Sequence, residues 1–178
     1  MKIKLTFMAE SKITILPYTH YEQGKDFCGP ASLRILLSFF GKTYSEEELA
    51  RLCGAKLEVG TEQTGLIAGA KAVGAHVFAK EHGTIEELEY FIKTEKLPVI
   101  VDWFDVDDGH YCVVVGMTEK DLILADPSKT EKERRISKEF FPKVWFGFIG
   151  DDNAIASWGW YMVATFDERK FNIAGTYY

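Results

Sequence analysis

Cysteine is scarce. The 178 residues hold three, Cys28, Cys53 and Cys112, an odd number with no CxxC spacing. A disulfide framework and a thiolate zinc site are both disfavoured by that count. No apolar run approaches the roughly 20 residues that span a bilayer. Met1–Glu10 carries early lysines but no apolar stretch of signal-peptide length, so a cytoplasmic protein is expected. Positive charge is in deficit, with 21 Lys+Arg against 27 Asp+Glu and a net charge of −6, which argues against binding nucleic acid through its phosphates. Proline is also sparse, and no repeat, low-complexity tract or Pro/Gly-rich linker breaks the chain, so one domain over residues 1–178 is expected.

Hydrophobic residues make up 47% of the chain and aromatic ones 14%, enough for a filled interior with several strands. An extended segment, Ile13–Tyr18, is followed by a polar loop, Thr19–Phe27. Leu33, Leu36, Leu37 and Phe40 recur at helical spacing, predicting a helix from Cys28 to Phe40, with Pro30 tolerated in the first turn and Gly41 as its stop. Ser45 with Glu48 is a capping box for a helix to about Cys53, and Thr84 with Glu87 another for a helix to about Thr94. Thr64–Val73 reads as a helix ended by Gly74. The character then turns to β: Pro98–Phe104, Tyr111–Val115 and Asp121–Ala125, with Trp145–Ile149 and Trp158–Phe166 as further strands. Helices first and strands after, joined by short turns, predict an α+β fold with a mainly antiparallel sheet.

The strongest chemical signal is Gln23-Gly24-Lys25-Asp26-Phe27-Cys28-Gly29-Pro30-Ala31-Ser32. A thiol at a helix N-terminus meets free backbone N–H groups and the positive end of the dipole, both of which favour thiolate. Gly29 removes a side chain beside the sulfur, opening an approach for a substrate carbonyl. Burial as a small hydrophobe accounts for Cys28 equally well. Cys53 and Cys112 lie in apolar patterns and read as core thiols.

Thiolate acyl transfer needs a base held by an orienting group. Of the four histidines, His20, His76 and His82 read as surface or packed residues. His110 stands where a strand emerges from the acidic loop Asp105-Val106-Asp107-Asp108-Gly109. A hairpin centred near Thr118 puts His110 opposite Asp126, so that the carboxylate accepts from Nδ1 and leaves Nε2 facing the thiol. A one-residue slip would send Asp126 to the other face, and Asp126-Pro127-Ser128 is also an ordinary turn starter. Gln23 has an amide that can join the Cys28 backbone N–H as an oxyanion donor, although a solvated loop glutamine explains it too.

Gln23, Cys28-Gly29-Pro30-Ala31-Ser32-Leu33, Gly109-His110-Tyr111 and Ala125-Asp126-Pro127-Ser128 together resemble papain-like cysteine peptidases, and most closely the bacteriocin-processing (double-glycine) peptidase family and its stand-alone relatives. The likeness runs from about Pro17 to Phe166. It implies a papain-like α+β fold, N-terminal helices packed on the sheet, with Cys28 as nucleophile, His110 as base, Asp126 as its orienting acid and Gln23 in the oxyanion hole. The implied activity is thiol-dependent hydrolysis of a peptide or related amide bond through an acyl-enzyme, with a peptide or protein as substrate and no metal or organic cofactor. Acyl transfer to an amine and non-catalytic peptide binding on the same fold are the alternatives. Many members are fused to membrane transporter domains, and no such segment is read here.

Asp102, Asp105, Asp107 and Asp108 lack the ligand order of an EF-hand loop and read as a solvated rim that biases a cleft toward basic substrates. The run Lys129–Arg135 reads as a solvated connection. Trp145, Trp158 and Trp160 read as packing residues.

Overall fold

The structure, a computed structural model, describes residues 13–106, 108–150 and 154–178. The reading of Met1–Glu10 and the position of Asp107 lie outside the described residues.

Four helices form where the sequence signals them. The leucine spacing closes as α1 (Cys28–Phe39), which buries Leu33, Leu36 and Leu37 and stops at Gly41 in a left-handed turn. Ser45 caps α2 (Glu46–Cys53) by accepting from the Glu48 backbone N–H at 3.1 Å; the return bond of a full capping box is absent among the described residues. Helix α3 spans Gln63–Ala72. Thr84 and Glu87 make a complete capping box at the start of α4 (Ile85–Glu89), which runs on as a π-helical turn, Tyr90–Glu95. Helices α2 and α3 pack closely because of glycine. A Cβ at Gly65 would lie 2.3 Å from the Cys53 carbonyl oxygen, and one at Gly69 would lie 2.3 Å from its sulfur.

The strands are β1 (Thr14–Ile15), β2 (His76–Lys80), β3 (Val99–Asp105), β4 (Asp108–Met117), β5 (Asp121–Ala125), β6 (Arg134–Ser137), β7 (Phe146–Ile149), β8 (Ile155–Trp158), β9 (Tyr161–Thr165) and β10 (Thr176–Tyr177). The main sheet has the order β10-β2-β9-β3-β4-β5-β6, every pairing is antiparallel, and β1 adds to the far end of β4. Strands β7 and β8 form a separate hairpin. The fold is α+β, with one correction to the expected order: β2 enters the sheet between α3 and α4. Its partner β9 is remote in sequence, so no local turn signal marks Val77-Phe78-Ala79 as a strand.

Both faces of the sheet are covered. Leu33, Leu36 and Leu37 pack with Ile100, Val113 and Met162 on one side, while Phe78, Phe91, Val101 and Trp103 fill the other. That is why Pro98–Phe104 reads as a continuous apolar run and not as an alternating one. Helix α1 is keyed to β4 by a buried hydrogen bond, Ser32 Oγ donating to the Tyr111 carbonyl at 3.0 Å. Ser32 follows Cys28 by one helical turn, so this bond fixes the thiol relative to the strand that carries His110.

Replacing Gly65 by Ala should force α2 and α3 apart and destabilise the protein by about 1–3 kcal/mol, measured by urea unfolding. No change in midpoint would show that this approach tolerates a methyl group.

Candidate active site

Cys28 is half-buried at the first position of α1. No side chain caps that helix, and its first turn holds no carboxylate, so the backbone donors at the sulfur are left for another acceptor. Gly29 corrects the sequence reading. A Cβ there would sit 2.8 Å from the Thr61 Cβ, so the glycine admits Thr61 from the α2–α3 loop and does not serve to open a path to the sulfur.

His110 and Asp126 meet, by a route the hairpin arithmetic does not anticipate. The turn closes between Thr118 and Asp121, with Thr118 N–H donating to the Asp121 carbonyl and Thr118 Oγ1 accepting from the Asp121 N–H. Met117 therefore faces Leu122 instead of Glu119, and past a bulge between Val114 and Gly116, Val113 faces Ala125 instead of Ile123. Asp126 follows on from there, so its neighbour across the ladder is Cys112 and not His110. The turn displaces the register by three residues and the bulge returns one. The net shift of two keeps Asp126 on the face of His110, where a diagonal contact forms.

That contact is His110 Nε2–H donating to Asp126 Oδ1 at 2.7 Å, and Cys28 lines the same cleft as the imidazole. The expected use of the two nitrogens is thus reversed. A diagonal partner on the next strand is reached by the outer ring atom, Nε2, which leaves Nδ1 as the ring nitrogen not bonded to Asp126. Burial pulls the His110 pKa down, but the Asp126 hydrogen bond and the nearby Cys28 sulfur outweigh it and lift the ring to about 9.

Asp126 has no exposed surface. Oδ1 also accepts from Ser128 N–H at 2.9 Å and Ser128 Oγ at 2.8 Å, while Oδ2 accepts from Arg134 Nη1 at 2.8 Å. Burial pushes this carboxyl up, yet His110, Arg134 and the Ser128 N–H hold it well below the usual carboxylate range. Arg134 also forks onto Asp105 through two bonds of 2.7 and 2.8 Å. The end of the Lys129–Arg135 run is therefore not a solvated connection: it carries a guanidinium to the buried acid. Sequence offers no local signal for that, because the strand returning the arginine begins at the residue itself.

Gln23 lines the same cleft as Cys28 and His110. Its Oε1 is buried without a partner, and its Nε2 makes no hydrogen bond among the described residues. Its backbone N–H donates to the Pro127 carbonyl at 2.9 Å, and His20 Nε2 donates to the Lys129 carbonyl at 2.9 Å. On the other side, Gly24 N–H donates to the Glu46 carboxylate at 2.8 Å. The Thr19–Phe27 loop is thus pinned between α2 and the turn that carries Asp126, and His20 serves as one of the pins.

The cleft has a volume of about 510 Å3. Among the described residues its walls include the carboxyl groups of Asp26, Glu58, Glu62, Asp102 and Asp108 and no lysine or arginine. Asp102 corrects the reading of a solvated rim. It is 4% exposed, and Oδ2 accepts from Gln63 Nε2 at 2.9 Å. Burial pushes its pKa up to about 7, against the downward pull of Gln63 and His110 and with further upward pressure from Glu62 and Asp108. Cys53 and Cys112 are buried, and burial raises both thiols, Cys53 to about 12. Trp145 and Trp160 are packed as expected, whereas Trp158 is half exposed. Among the described residues, no three His, Cys, Asp or Glu side chains converge to hold a metal ion.

Residues 16–149 match the model of the peptidase C39 family, a span that includes Gln23, Cys28, His110 and Asp126. The pediocin PA-1 transport/processing ATP-binding protein PedD of Pediococcus acidilactici is 34% identical over 120 residues, which are 66% of this chain and 16% of that protein. The chain thus spans a small part of that relative's length. An uncharacterized protein of Methanothermobacter thermautotrophicus is 33% identical over 122 residues, 68% of this chain and 78% of that one. The crystal structure of the peptidase domain of Streptococcus ComA, a bi-functional ABC transporter involved in a quorum-sensing pathway, superposes with a TM-score of 0.68 at 26% identity, covering 83% of this chain and 98% of that domain.

Asp102 generates a stability prediction. Its folded pKa of about 7 lies above its ordinary value of 3.8, so ionising it favours the unfolded chain, and stability is lost as pH rises from about 4 through 7. Asp102→Asn should stabilise the protein above pH 7 by up to about 4 kcal/mol, with the gain shrinking toward pH 4. Unfolding at pH 5 and pH 8.5 tests this; an equal gain at both would assign the effect to packing.

Proposed function

This chain belongs to the peptidase C39 family, and on that premise we propose that it hydrolyses peptide bonds by thiol chemistry at Cys28. The observation that supports this most is that Cys28 and His110 line one cleft while the buried Asp126 carboxylate holds the His110 ring from behind. His110 Nδ1 takes the Cys28 proton, and the thiolate attacks the substrate carbonyl carbon. Gln23 Nε2 and the Cys28 backbone N–H hold the oxyanion. The His110 imidazolium protonates the departing amine nitrogen as the C–N bond breaks, leaving a thioester. Water then gives a proton to His110 and its oxygen to the acyl carbon, releasing the acid and returning the thiol.

The acidic cleft favours peptides with Lys or Arg near the cut. Three unpaired cysteines suit a reducing compartment, and we place the reaction in the cytoplasm.

Digestion of a peptide library by wild type and Cys28→Ala in parallel tests the reading. Wild type alone should cut, with basic residues enriched beside the cut, and brief iodoacetamide treatment should label Cys28 ahead of Cys53 and Cys112. Cleavage by the alanine variant, or none by a wild type that alkylates fully at Cys28, would refute it; acidic residues at the cuts would refute the charge preference.

The pH profile gives a second check. His110 must carry a proton to release the amine, so kcat/KM should fall as pH rises through about 9. Asp126→Asn removes the charge that raises that pKa, so the alkaline limb should move down and kcat should drop by about 10²–10⁴-fold. An unmoved limb would show that Asp126 does not set the state of His110.

A further inference from the structure

Arg134 stands outside the cleft lining, yet it is the cation on the buried acid. Its Nη1 donates to Asp126 Oδ2 at 2.8 Å and to Asp105 Oδ2 at 2.7 Å, and its Nη2 donates to Asp105 Oδ1 at 2.8 Å. Its guanidinium lies 4.7 Å from the centre of the Trp103 ring. The arginine is therefore held on two sides, by a carboxylate that takes both arms of the fork and by an aromatic face. Asp105 ends β3 and Arg134 begins β6, with two strands between them in the sheet.

We infer that Arg134 is a positioning residue for the reaction proposed above, aiming Asp126 so that Oδ1 stays on His110 Nε2. The carboxylate has two oxygens and one rotation to lose. Oδ1 is taken by His110 and Ser128, and Oδ2 by Arg134 alone among the described residues. Without the guanidinium, Oδ2 is a buried acceptor with no donor, and the carboxyl group turns or takes up a proton to relieve that cost. Either change loosens the imidazole, and small misplacement of a catalytic group is expensive in rate. The planar fork bridges Asp105 and Asp126 at once; a lysine ammonium keeps the charge and loses the two-armed grip on Asp105.

The test uses Arg134→Met, Arg134→Lys and, as a variant that keeps the arginine and cuts its anchor, Asp105→Asn. Two quantities are read in each: kcat per titrated Cys28 thiol with its KM, and the His110 Nε2–H proton resonance in NMR. Arg134→Met should lower kcat by on the order of 10²-fold with KM unchanged, and should lose or broaden the resonance. Arg134→Lys should recover part of both, and Asp105→Asn should shift both in the same direction by less. If Arg134→Met does not fold, Asp105→Asn and Arg134→Lys decide. Folded variants with wild-type kcat per thiol and an intact resonance would overturn the inference, as would a loss confined to KM or to the fraction folded. The resonance needs no turnover, so a protein that cleaves nothing would sink the peptidase reading and still report whether Arg134 holds the His110–Asp126 bond.

Discussion

A carboxylate with no exposed surface must be surrounded by donors or it will not stay ionised. Asp126 is such a group, and much of the sheet's local detail is the means of supplying its partners. His110 comes from the start of β4, Ser128 from the turn that follows β5, and Arg134 from the first residue of β6. Each partner belongs to a different piece of chain, so all three pieces must be in register for the carboxylate to be satisfied. The bulge in β4 and the tight turn after Asp126 are conditions for that meeting, because a ladder off by one residue would put Asp126 on the other face.

A second constraint brings the thiol to this group. Cys28 sits on a helix and His110 on a strand, and two layers of different type slide unless something polar registers them. Ser32 does so by bonding the Tyr111 carbonyl in an otherwise apolar contact. The loop before α1 is pinned at both ends, to Glu46 and to the Pro127–Lys129 carbonyls. The sulfur, the imidazole and Gln23 are thus tied into one hydrogen-bonded frame, as the proposed site, formed from three separate elements, requires.

What could be read from sequence followed from local physics. The leucines of α1, the Thr84–Glu87 box and the glycine stops mark helices because helix contacts repeat every three or four residues. Cys28 and His110 stand out because a helix start and a strand mouth each have a local chemical character. What could not be read was long-range. β2 pairs with a strand more than eighty residues away. The meeting of His110 with Asp126 was expected from a turn in the wrong place and a ladder without a bulge, and it survived because the two errors left an even displacement. Arg134 looked like one charge in a run, since nothing nearby in sequence shows that the buried acid lies beside it. Asp102 looked solvated because its neighbours are acidic; only the sheet face it occupies buries it.

Asp102 and Asp126 are both buried carboxyls near one imidazole, and their surroundings drive them apart. Asp126 has a guanidinium, an imidazole and a serine, and stays ionised far into acid. Asp102 has one amide donor and feels the cleft carboxylates Glu62 and Asp108, and burial prevails, lifting it to about 7. The difference lies in the partners and not in the depth. It also separates two tasks. On the proposed reading, the acid bonded to His110 stays ionised while the carboxyl in the cleft changes state. Between about pH 7 and about pH 9, Asp102 is largely ionised while His110 still carries its proton. On the proposed peptidase reading, that window is where the cleft draws a cationic peptide most strongly and the proton for the leaving amine is in place. Below it the cleft loses charge first, and above it the ring loses its proton, so on that reading the two limits act on binding and on chemistry respectively.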